Sequence, residues 1–83
     1  MKFNGVKLTE ESILKARQWY VDNARGCIEE VQNGSVKVND PEAYIKWREK
    51  QIEDALAGRY DHTLAFLQRA YYIQTGECVA LLP

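Results

Sequence analysis

Stepped at about 100° per residue, positions 10–33 gather Ile13, Tyr20, Ala24, Cys27, Ile28 and Val31 into one apolar arc. Val21 and Leu14 flank that arc on one side and Ala16 on the other. The period predicts a long first helix running to about Asn33. Thr9 supplies a capping oxygen at its start, and Glu10 and Glu11 bring negative charge to its positive end. Gly34 suits its close, because glycine adopts positive φ with no Cβ to clash. After an extended link, Ser35-Val36-Lys37-Val38, comes the strongest local signal in the chain, Asn39-Asp40-Pro41-Glu42. Asp40 is a cap, and Pro41 fits the first helical position, where no N–H is needed. A second helix is expected from Pro41 to about Ala57, ended by Gly58, with Ile45, Ile52, Ala55 and Leu56 on its apolar face.

A third helix is expected from a cap at Asp61 to about Thr75, closed by Gly76. Leu64, Phe66, Leu67, Ala70, Tyr71 and Ile73 cover half its circumference, and only His62, Gln68 and Arg69 form a polar strip. A helix apolar on most sides is covered by more than one neighbour, so this one is expected at the centre. Phe3, Val6 and Leu8 around Asn4-Gly5 read as a short strand or tight turn. The apolar tail, residues 77–83, is expected to pair with that segment as a strand or to lie across the helices. The expected fold is mainly α: a single three-helix domain over residues 1–83, with a central third helix and short terminal β-strands.

Both tryptophans fall off the apolar faces. Trp19 projects with Ser12, Asn23, Gly26 and Glu30, while Trp47 lies beside Ala43, Lys50 and Asp54, with Tyr44 and Arg48 on the border of the second helix's face. Either the packing bends round to cover them, or they form a patch for a partner protein or a second copy. Tryptophan is enriched at binding hot spots, which makes Trp19, Trp47, Tyr44, Asn23 and Arg48 the candidate partner-binding residues. Arg17 falls inside the first helix's apolar arc, so it either snorkels to the edge or meets a carboxylate.

Composition narrows the function classes. With 46% hydrophobic and 28% charged residues the chain is an ordinary folded one. Its 11 Lys+Arg against 12 Asp+Glu give a net charge of −1, without the basic excess that supplies a nucleic-acid binder's affinity. The second and third helices imitate a helix-turn-helix, but the later helix carries Arg69 as its only cation where polar or basic groups should read bases.

No nucleophile motif, Gly-rich phosphate loop or metal-ligand spacing is present. Cys27 and Cys78 have no C-x-x-C arrangement and read as reduced thiols, a single 27–78 bridge being the alternative. His62 reads as a surface or capping-region histidine. The first five residues lack the apolar core of a signal peptide, and no apolar run reaches membrane-spanning length, so the expected compartment is the cytoplasm.

The expected function is that of a non-enzymatic protein–protein interaction module without cofactor or metal, binding a partner protein or itself as a homodimer. Its size and plainness are those common among accessory or inhibitory proteins of phages and mobile elements. A small nucleic-acid-binding regulator is the alternative.

Overall fold

The computed structural model describes residues 1–79. It shows three helices and a two-stranded hairpin, in the order β1 (Lys2–Phe3), β2 (Val6–Lys7), α1 (Glu10–Gln32), α2 (Pro41–Leu56) and α3 (Leu64–Thr75). The hairpin is antiparallel, with Lys2 opposite Lys7 and Phe3 opposite Val6. Asn4 and Gly5 turn it with φ of 52° and 75°, the pair of positive angles that a two-residue type I′ turn demands. The N-terminal segment therefore pairs with itself.

Each helix begins on a side-chain oxygen that takes up a backbone N–H otherwise left unsatisfied. Thr9 accepts from Ser12 N on α1, and Asp40 accepts from Ala43 N on α2. On α3 the cap is Thr63, which accepts from Phe66 N. The expected cap, Asp61, is instead engaged with Arg17: a charged partner across the fold outweighs a local N–H. Gly76 closes α3 in the left-handed conformation, as its sequence position suggested.

The core is Leu8, Ala16, Phe66, Ala70 and Tyr71, with Phe3, Val6, Ile13 and Tyr20 packed around it. Phe3 meets Tyr71 edge-on, centroids 5.8 Å apart, which seats the hairpin on α3. Three of the five core residues come from α3, but α1 is the helix that packs against both others. The expectation of a central third helix thus holds for the core and not for the helix order. Ala16 of α1 is buried in the cluster with Phe66, Ala70 and Tyr71 of α3, while Ala24 of α1 and Ala55 of α2 are buried elsewhere, and α2 packs on α1 rather than on α3. Leu64 and Tyr72 of α3, left without a second helix over them, stay about half exposed.

Ser12, expected on the polar side, is buried. Its hydroxyl lies 2.9 Å from Thr9 O and 3.0 Å from Gln74 Oε1. The same Gln74 oxygen accepts from Thr9 N, and its amide donates to Lys7 O. One glutamine of α3 thereby satisfies the junction between β2 and α1. Leu14, expected beside the core, is exposed instead.

The C-terminal strand or arm lies partly on residues 80–83, outside the described residues. Residues 77–79 form no strand and run back along α3, where Gln68 Nε2 donates to Val79 O and the Tyr71 hydroxyl to Glu77. No described helix is long and apolar enough to cross a membrane.

Candidate functional site

Because α2 and α3 lean on α1 from different sides, they leave a groove on each flank of Trp19. The smaller cavity, about 340 Å³, lies between α1 and α2 and is lined by Trp19, Tyr20, Asn23, Ala24, Arg48, Gln51 and Tyr60. The larger, about 540 Å³, lies between α1 and α3 and is lined by Trp19, Tyr20, Ala65, Gln68, Arg69, Tyr72, Cys78 and Val79. Trp19 and Tyr20 form the ridge between the two. Their rings meet edge-on at 5.1 Å, and Tyr20 stacks in turn on Phe66 at 5.9 Å, which ties the ridge to the core.

An arginine covers the rings on each side. Arg69 Cζ lies 4.1 Å from the Trp19 ring centroid and 5.5 Å from that of Tyr72. Arg48 Cζ lies 4.6 Å from the Trp47 centroid and 5.4 Å from that of Tyr44. All four distances fall within cation–π range. Arg48 is further fixed by donating from Nε to the Tyr44 hydroxyl at 3.0 Å and from Nη1 to Gln51 Oε1 at 2.8 Å. Helix geometry prepares this cluster, since residues three and four apart share a face. Trp47 nevertheless stays 52% exposed and Trp19 37%.

Of the five sequence candidates, Trp19, Asn23 and Arg48 line one cavity, and Tyr44 and Trp47 adjoin it through Arg48. Asn23 also anchors the ridge by donating from Nδ2 to Trp19 O. Arg69, Tyr72, Tyr60 and Gln51 complete the surface and were absent from that set. Arg69 carried a legible signal as a cation in the polar strip of α3. Tyr60 carried none, because it sits in the loop between α2 and α3, whose course follows from tertiary contacts.

That loop is held to α1 by Arg17, which donates from Nε to Asp61 Oδ1 at 3.1 Å and from Nη2 to Asp61 Oδ2. The hydrogen bond to Asp61 raises the Arg17 pKa further above its ordinary value, against partial desolvation. Tyr60 stacks on Tyr20 at 6.0 Å. A Cβ on Gly58 would lie 2.7 Å from Arg17 Nη2, so the guanidinium passes where only glycine leaves room.

Other ionic groups lie elsewhere. Asp54 Oδ1 sits 3.1 Å from Lys50 Nζ and 3.3 Å from Arg59 Nη1, an ion-pair cluster at the end of α2 whose angles fall short of hydrogen bonds. Among the described residues no three His, Cys, Asp or Glu side chains converge. Cys27 is half-buried, Cys78 is exposed, and they are not bridged. His62 is exposed ahead of α3. Set against known families, curated proteins and solved structures, the chain matches none at a significant level.

Proposed function

We propose that this chain is a non-enzymatic protein–protein interaction module, a small accessory or inhibitory protein of the cytoplasm that docks its tryptophan-bearing face on a partner protein. The observation that carries this reading is the continuity of the surface: Tyr44, Trp47 and Arg48 on α2, Trp19 on α1, and Arg69 and Tyr72 on α3 adjoin through the two grooves. Tryptophan, tyrosine and arginine are the residue types most enriched among binding hot spots, and concave apolar sites favour their burial by a partner. A core role would have hidden these rings, whereas Trp47 leaves half its surface in water.

Capture from a bacterial lysate on immobilised wild type and Trp47→Ala tests the reading. A stoichiometric protein retained by wild type and lost by Trp47→Ala, with equal thermal melts, is the expected result. Nuclease-sensitive recovery would favour the nucleic-acid alternative, and equal retention by both proteins would remove Trp47 from the surface.

A further inference from the structure

Resting on that reading, we infer that Arg48 is a preorganised carboxylate receptor and that the partner presents a segment with an aspartate or glutamate beside an apolar side chain. A guanidinium has five N–H donors. Arg48 spends one on Tyr44 and one on Gln51, which leaves three and fixes the plane that carries them. Stacking on Tyr44 and Trp47 fixes it further, so little side-chain entropy remains to be lost on binding. Among the described residues no carboxylate lies within ion-pair distance of Arg48, and it shares this with Arg69 and several exposed cations; what sets Arg48 apart is that Tyr44 and Gln51 hold its plane.

The surroundings of Arg48 match that anion to an apolar neighbour. The α1/α2 groove has aromatic walls in Trp19, Tyr20 and Tyr60, two amide side chains in Asn23 and Gln51, and no acidic residue. A carboxylate at Arg48 places the adjoining side chain against those rings, and planar two-point recognition suits carboxylate to guanidinium. The groove between α1 and α3 carries Arg69 and likewise no acid. A second copy docked face to face would offer Arg48 and Arg69 no carboxylate from the same patch, because a two-fold interface pairs the patch with itself and neither groove lining carries an acid. Nucleic acid fits less well: two arginines neutralise few phosphates on a chain of net charge −1.

The experiment is selection of random peptides displayed on phage against the immobilised full chain, followed by titration of the selected peptides using intrinsic tryptophan fluorescence. The expected peptides carry Asp or Glu next to an apolar or aromatic residue. Arg48→Gln should abolish their binding, and Arg48→Lys, which keeps the charge and loses the fork, should weaken it roughly tenfold. Thermal melts of both variants, expected near wild type, separate this from unfolding. Acidic peptides bound equally by Arg48→Gln, or selected peptides without an acid, overturn the receptor role while leaving the docking face in place. Failure to select any sequence also overturns the proposal, and the Trp47 comparison then decides the broader reading independently. Dimerisation that competes with peptide, or tighter binding of a single-stranded oligonucleotide at low salt, replaces the acidic segment with a second copy or a nucleic acid.

Discussion

Replacing Arg17 with methionine tests the link between α1 and the loop that bears Tyr60. The pair it forms with Asp61 is neither surface nor core: the side chains are 27% and 14% exposed. Breaking a fully buried pair costs about 3–5 kcal/mol, and an exposed one contributes about 0–1 kcal/mol. Partial exposure with two hydrogen bonds places Arg17→Met at about 2–3 kcal/mol, most of it from leaving the poorly exposed Asp61 carboxylate without a partner. In a domain of this size that lowers Tm by on the order of 10–20 °C.

The assay is urea unfolding followed by circular dichroism on wild type, Arg17→Met, Asp61→Asn and the double variant. Coupling between the sites of about 1–2 kcal/mol is expected. Because the Arg17 pKa is raised, its contribution is present below the ordinary arginine value and is lost only as pH climbs through the still higher folded one. The coupling should therefore be constant from neutral to moderately alkaline pH. A loss within ~1 kcal/mol with no coupling would refute the argument and mean that Arg17 merely snorkels to the edge of its helix.

Phe66, 1% exposed and among the largest fully buried side chains, should cost about 3–5 kcal/mol when cut to alanine; a cooperative melt near the wild-type temperature would contradict the assigned core. Gln74→Ala removes the side-chain acceptor of the exposed Thr9 N–H and one of two partners of the Ser12 hydroxyl, which keeps Thr9 O, and urea titration should show a loss of about 0.5–1.5 kcal/mol that Gln74→Glu does not fully restore. Burial raises the Tyr20 pKa above 10.0, opposed by the charge of Arg69. Its stability contribution is thus complete below the unfolded value and lost as pH rises through the folded one, and Tyr20→Phe should flatten that alkaline decline in an unfolding series.

Features set by neighbouring residues were readable from the chain. Pro41 after Asp40, Thr9 before two glutamates, and Gly76 after the last apolar turn fix helix ends through backbone chemistry that acts over a few residues. The third cap was misplaced because Asp61 and Thr63 both have the capping oxygen, and the choice between them was made by Arg17, 44 residues earlier in the chain. Ser12 was misplaced for a similar reason: a serine on a polar face is buried when Gln74 arrives from another helix to satisfy it. Among the site residues, Tyr44 and Arg48 were legible at the border of α2's apolar face and Trp47 as a large ring lying off it. That Trp19 meets Arg69, and that Tyr60 walls the groove, depended on which helices pack together.

The arginines also bear on why these rings remain outside. A chain of 83 residues has a thin stability margin, and burying two tryptophans would be a direct way to widen it. Here four alanines, Ala16, Ala24, Ala55 and Ala70, stand among the buried residues beside Leu8, Val21, Phe66 and Tyr71, and neither tryptophan is buried with them. The tryptophans lie on the flanks, where Arg48 covers part of the Trp47 ring and Arg69 part of the Trp19 ring. A partner that supplies a carboxylate to the guanidinium and an apolar group to the ring satisfies both halves of the pair together. A purely apolar partner would leave the arginine's remaining N–H groups unpaired on contact, at a cost of about 1–3 kcal/mol or more for each buried donor. On the proposed reading, the arrangement that would keep the exposed rings from pairing indiscriminately would also favour an acidic partner.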